Sequence, residues 1–157
     1  MAYPKLGLLA PTFQLLNQKA EKVDLKSLKG KIVVLYFYPK AMTPGCTTQA
    51  CGIRDSRKEL EKLNTVVYGI SPDEPNKLQK FIDKEKLNFD LLSDPDHSIC
   101  EKYGVWGLKK FMGREYMGII RTTFIIGVDG RLVYVMDDFN TKTHHEDLIT
   151  FIKGNLM

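Results

Sequence analysis

Residues 32–51 read Ile32-Val33-Val34-Leu35-Tyr36-Phe37-Tyr38-Pro39-Lys40-Ala41-Met42-Thr43-Pro44-Gly45-Cys46-Thr47-Thr48-Gln49-Ala50-Cys51. The first seven are apolar or aromatic without interruption, the pattern of a strand buried on both faces. Thr43 and Pro44 mark a helix start, because threonine suits an N-cap and proline suits the first helical position. Cys46 thus opens a helix directly behind a buried strand. A thiol there lies near roughly half a unit of positive dipole charge. That charge favours the thiolate, which is the form that attacks. Cys51 follows five residues later and places a second sulfur within reach.

Upstream, Phe13 to Leu16 and Lys22 to Leu25 flank Asn17-Gln18-Lys19-Ala20 and read as a short N-terminal hairpin. Downstream, the helix that holds Cys46 is expected to run to about Leu63, followed by a second apolar strand over Thr65 to Ile70. Ser71-Pro72-Asp73-Glu74-Pro75 breaks that strand and starts a helix through about Lys86. Phe89 to Leu92 reads as a short strand, ended by Ser93-Asp94-Pro95-Asp96, and a helix through Cys100 and Tyr103 follows. Gly104, Gly107, Gly113 and Gly118 punctuate a stretch expected to be rich in loops. Thr122 to Ile126 and Leu132 to Met136 form a hairpin around Val128-Asp129-Gly130, and a final amphipathic helix covers His145 to Ile152.

Helices between apolar strands predict an α/β layer fold with a mixed central sheet. A parallel core with an antiparallel hairpin at its end fits a thioredoxin-like arrangement. Its active site is expected at the carboxyl ends of the strands, where Cys46 falls. The 157 residues read as one domain, residues 1–157. No repeat, low-complexity tract or linker divides them.

Hydrophobic residues make up 43% and charged residues 27%, with a net charge of +4 and no Lys/Arg-rich run. This excludes a nucleic-acid-binding signature. No apolar run approaches the roughly 20 residues of a membrane helix. Met1-Ala2-Tyr3-Pro4-Lys5-Leu6 shows no signal-peptide pattern. Three cysteines are too few, and odd in number, for a disulfide scaffold. The chain reads as a reduced, cytoplasmic protein, where a close cysteine pair is more often catalytic or metal-binding than structural.

Cys46 has three readings from its residues alone: reactive thiolate, small core residue or zinc ligand. Zinc usually takes cysteines two to four apart with further ligands at similar spacing, and His97, His144 and His145 do not supply it. The helix-start position argues for exposure and reactivity. Cys51 reads either as a partner of Cys46 or as an inert residue facing the sheet. In an ideal helix their Cα atoms would be roughly 8 to 9 Å apart, whereas a disulfide needs less than about 7 Å. A bridge would therefore require the first turns to unwind, and Gly45, Thr47, Thr48 and Gly52 are poor helix formers. Cys100, with no turn or helix start beside it, reads as core.

The Thr43 hydroxyl could accept the Cys46 amide as an N-cap, or act on whatever the sulfur attacks. Arg121 could be a fixed cation for the thiolate or a solvated charge at a strand end. His144-His145 reads as a surface pair at a helix start, since adjacent helical residues point in different directions. Trp106 reads equally as pocket lining or ordinary packing, and Asp137-Asp138 as a solvated loop pair.

The motif Pro39-x-x-x-Thr43-x-x-Cys46 resembles the active-site signature of the peroxiredoxins, with Arg121 where that family carries its distant arginine. Cys51 on the same helix resembles the Q-type branch. The likeness extends through Tyr36-Phe37-Tyr38-Pro39-Lys40, Leu91-Leu92-Ser93-Asp94, Gly104-Val105-Trp106-Gly107, Phe111-Met112-Gly113 and Asp137-Asp138-Phe139. It implies a thiol peroxidase acting on hydrogen peroxide and organic hydroperoxides. Cys46 would be oxidised to a sulfenic acid, and Cys51 would resolve it as an intramolecular disulfide. Thioredoxin or glutaredoxin would reduce that bridge. Thr43 and Arg121 would hold the peroxide oxygens, and Pro39 would shield the sulfur. No cofactor or metal is implied, and the branch implies a monomer. Many relatives carry Glu where this chain has Gln49, which places any carboxylate role there in doubt.

Other classes remain as alternatives. One is a redox sensor or binding module on the same fold, and another is a structural zinc protein. A general disulfide oxidoreductase is disfavoured, because the chain has no Cys-x-x-Cys.

Overall fold

The computed structural model describes residues 3–157. The reading of the extreme N-terminus lies partly outside them, at Met1 and Ala2. The stretch that decides the fold forms β3 (Ile32–Phe37), with all six residues buried. Strand side chains alternate between faces, so β3 feeds two cores. Ile32, Val34 and Tyr36, with Tyr38 beyond the strand, join the core on one face, and Val33, Leu35 and Phe37 join the other.

Upstream lie β1 (Gln14–Asn17) and β2 (Lys22–Asp24), the expected hairpin, and a 3-10 turn over Leu25–Leu28. Downstream come α1 (Pro44–Asp55), α2 (Arg57–Lys62), β4 (Thr65–Ser71), α3 (Pro75–Glu85), β5 (Leu91–Ser93) and α4 (Ser98–Lys102). They are followed by β6 (Trp106–Phe111), β7 (Arg114–Ile119), β8 (Thr122–Ile126), β9 (Leu132–Met136) and α5 (His144–Asn155). The main sheet has seven strands in the order β2-β1-β5-β4-β3-β8-β9. β3, β4 and β5 pair in parallel, while the remaining neighbours are antiparallel. This is the mixed thioredoxin-like sheet that the element order predicted, with helices packed against it.

Three expectations change. The helix expected to reach Leu63 is two helices. Ser56 N–H donates to Gly52 O at 3.2 Å and to Ile53 O at 3.1 Å, which tightens the last turn of α1 before α2 restarts. The glycine-punctuated stretch is a second sheet, the β6–β7 hairpin, with Trp106 paired to Ile119 and Phe111 to Arg114. Its turn places Met112 and Gly113 at positive φ, and most of its side chains are exposed, so no continuous apolar run marks it. The last helix begins at His144 rather than His145 and continues to Asn155.

Helix α1 lies against the face of β3 that carries Val34 and Tyr36. Cys46, Gln49, Ala50 and Ile53 are its buried residues, at the i, i+3, i+4, i+7 spacing of one helical face. Helix α5 packs on the same side through His144, Leu148 and Ile152, four residues apart. Each buried Leu or Ile contributes about 1.5–3 kcal/mol, so both helices are anchored beside the carboxyl end of β3.

Candidate active site

Pro39 follows Tyr38, whose N–H makes a bond to Ile70 O at 3.1 Å. The chain then turns through Ala41 and Met42 into α1. Met42 lies at φ +65°, a left-handed conformation unusual for a non-glycine residue. Asp73 holds this loop. Its Oδ2 accepts the Ala41 N–H at 2.7 Å and the Ser71 hydroxyl at 2.9 Å, while Lys77 pairs with Oδ1 at 3.4 Å. The sequence places Asp73 only in the turn that ends a strand and starts a helix.

Thr43 is the N-cap of α1 by backbone conformation, but its side chain makes no capping bond. The hydroxyl instead donates back to Lys40 O at 2.9 Å. The expected bond from the Cys46 amide is absent, because the hydroxyl has turned toward the preceding loop. Its oxygen lone pairs are left free of that cap.

Cys46 is 1% exposed. A cysteine at a helix start was expected to be open to solvent, yet this one leads the sheet-facing stripe of α1 and is covered accordingly. Arg121 immediately precedes β8, whose Thr122 pairs with Phe37 at the end of β3. That register brings the guanidinium to the sulfur, with Nη2 donating to Cys46 Sγ at 3.3 Å. The same guanidinium donates from Nη1 to Gln49 Oε1 at 2.6 Å. Arg121 is therefore not a free strand-end charge.

Gln49 is fully buried, and its Nε2 lies 3.3 Å from His144 Nδ1. His144 Nε2 lies 2.8 Å from Thr123 Oγ1. The expectation of a surface pair at 144–145 fails for His144, which is fully buried. Burial, with Arg121 and His145 adding to it, holds the His144 pKa down to about 3. The imidazole is neutral at ordinary pH. The sequence did carry a signal for this residue, since His144, Leu148 and Ile152 recur every four residues along one helix face.

Cys51 lies on α1, half-buried and unbridged. Its Sγ is 3.7 Å from Glu85 Oε1. Burial pushes its thiol pKa up, Arg54 pulls it back, and Glu85 pushes it up again. Cys100 is core, as expected, and burial followed by its contact with Asp94 drives its pKa far up. Trp106 stacks on His97 at 3.9 Å between ring centroids, and Asp137 accepts the Tyr3 hydroxyl at 3.1 Å. Among the described residues, no group of three or more His, Cys, Asp or Glu side chains is placed to hold a metal ion.

The fold thus brings Thr43, Cys46 and Arg121 to one end of β3, with Pro39 closing the loop and Cys51 farther along α1. The AhpC/TSA family model matches residues 6–135. Escherichia coli peroxiredoxin Bcp is 53% identical over 149 residues, covering 95% of this chain and 96% of that protein. A Xylella fastidiosa PrxQ variant superposes over the full length of both chains, with a TM-score of 0.93 at 26% identity. A Xanthomonas campestris bacterioferritin comigratory protein, described for its alkyl peroxide reduction activity, has a TM-score of 0.87 at 27% identity over 92% of each chain. The chain belongs to the AhpC/TSA family and is a thiol-dependent peroxidase of its Bcp, or Q-type, peroxiredoxin branch.

Proposed function

We propose that Cys46 is the peroxidatic nucleophile, that Cys51 resolves it, and that one domain carries the whole cycle. The observation that carries this reading is the Arg121 guanidinium donating to Cys46 Sγ at the N-terminal turn of α1. A cation and a helix N-terminus both face the sulfur, the surroundings in which cysteines attack.

The thiolate attacks the terminal oxygen of the hydroperoxide. An S–O bond forms, the O–O bond breaks, and the released alkoxide or hydroxide takes a proton to leave as alcohol or water. Arg121 and the Thr43 hydroxyl stabilise charge developing on those oxygens. Pro39 keeps water from the sulfur. The Cys51 thiol, deprotonated, then attacks the sulfenic acid, and a disulfide forms as water departs. A dithiol reductant returns two electrons by exchange. Thioredoxin is our first choice and glutaredoxin the second. Hydrogen peroxide and alkyl hydroperoxides are the substrate class, supported by the activity of the Xanthomonas campestris relative. We place the cycle in a reducing, cytoplasmic setting and in a monomer, as the resemblance to the Q-type branch implies.

The test is intact mass after one equivalent of peroxide, followed by peptide mapping. The expected product is two hydrogens lighter than the reduced chain, with the bridge between Cys46 and Cys51. A bridge that includes Cys100, or stable oxidation at another residue, overturns the assignment.

A further inference from the structure

We infer that His144 is a positioning residue for peroxide reduction, fixing Arg121 over Cys46 through Gln49, with Thr123 orienting the imidazole from behind. The inference rests on the peroxidatic role proposed for Cys46.

The chain of contacts leaves no choice of orientation. A guanidinium is donor-only, so the Gln49 atom 2.6 Å from Arg121 Nη1 must be the carbonyl oxygen. The amide NH2 then faces His144, whose Nδ1 is 3.3 Å away and must accept. That leaves the hydrogen on Nε2, which donates to Thr123 Oγ1 at 2.8 Å. Gln49, Thr123 and His144 are all fully buried, so water does not substitute for any partner. The neutral state of His144 agrees with its depressed pKa. Phe139 lies 4.5 Å and Tyr36 5.9 Å from the imidazole between ring centroids, which fixes the ring plane.

The arrangement answers why glutamine serves at position 49. An amide presents an acceptor to Arg121 and a donor to a neutral histidine at the same time. A carboxylate would meet Nδ1 with a second acceptor. Without His144, the Gln49 amide loses the partner that sets its orientation, and Nη1 loses a fixed acceptor. The guanidinium would then sample positions away from the sulfur, and its aim at the peroxide oxygens would suffer.

The test compares His144→Phe, which keeps a ring in the same packing, with His144→Asn, which can return an oxygen near the Nδ1 place. Two rates are read at Cys46 by peptide mass: oxidation by hydrogen peroxide, and alkylation by iodoacetamide, which has no second oxygen for Arg121 to hold. His144→Phe should slow oxidation about tenfold, the size of one buried hydrogen bond, and slow alkylation clearly less, because both reactions lose the cation beside the sulfur but only oxidation also loses the hold on the peroxide oxygens. His144→Asn should recover most of the oxidation rate. Oxidation at the wild-type rate in His144→Phe, an equal fall in both reactions, or no recovery in His144→Asn would each overturn the inference.

A second measurement needs neither a folded Phe variant nor turnover. Imidazole nitrogen shifts of the resting protein should show His144 protonated on Nε2 alone, and Gln49→Glu should place a hydrogen on Nδ1. Unchanged shifts in Gln49→Glu would overturn the relay. A wild-type protein with those shifts but inert to peroxide would instead overturn the peroxidatic reading of Cys46.

Discussion

At the scale of single residues, two side chains three positions apart on α1 divide the chemistry. In the proposed cycle Cys46 carries the reacting sulfur, and Gln49 anchors the cation that faces it. Replacing Arg121 by alanine removes the donor to the sulfur and, in the proposed cycle, to the peroxide oxygens as well. We expect the rate of Cys46 oxidation to fall by about 10²-fold or more, the scale of losing one oxyanion donor, measured by rapid-mixing oxidation of reduced protein. Wild-type kinetics in Arg121→Ala would return the arginine to a structural part. Cys51→Ser should consume one equivalent of peroxide and then recycle poorly with thioredoxin and its reductase. Full steady-state turnover in that variant would remove Cys51 from the cycle. Cys100 is a poor substitute, since burial and Asp94 keep it a thiol.

At the scale of elements, the proposed cycle gives α1 two duties that conflict. It must stay folded for Arg121, Gln49 and His144 to keep their contacts, yet an ideal helix holds the Cα atoms of residues 46 and 51 too far apart for a bridge. Oxidation should therefore unwind the first turns. Hydrogen exchange over residues 45 to 55 should be faster in the disulfide form, and equal protection in both forms would refute this. The seam between α1 and α5 is tight at Gly52, where an added Cβ would collide with the His145 ring. Alanine in a helix ordinarily gains about 1 kcal/mol over glycine, but Gly52→Ala should here cost about 1–3 kcal/mol through overpacking. In a His145→Ala background the same change should become stabilising, a sign reversal that a double-mutant cycle in urea would detect.

At the scale of the whole molecule, His144 ties stability to pH. Its folded-state pKa of about 3 lies below the unfolded value of about 6.5. Between those values the unfolded chain binds more protons, so stability rises with pH there. The contribution is complete above about pH 6.5 and is lost as the pH falls toward 3. Between pH 7 and pH 5 the loss should be about 2 kcal/mol, read as a shift in urea midpoint. His144→Phe should flatten that segment of the profile, and an unchanged slope would show that other groups carry it. No helix among the described residues is long and apolar enough to cross a membrane.

Local sequence determined the strands that pack from both sides, the start of α1 and the place of Cys46 behind β3. These features depend on runs of neighbours: the apolar stretch from Ile32 to Tyr38, then threonine and proline at the cap. The hairpin of β8 and β9 was equally legible, since its turn residues and alternation are local. The β6–β7 hairpin was not, because its exposed side chains carry no burial pattern. Burial at the start of α5 was hidden for the same reason in reverse, since the polarity of His144 masked its place in a four-residue stripe. Only the folded chain decided that Arg121, 75 residues from Cys46, would reach the sulfur. It also decided that a histidine 95 residues from Gln49 would face it. Such partners are set by strand order and helix packing, and no spacing along the chain encodes them.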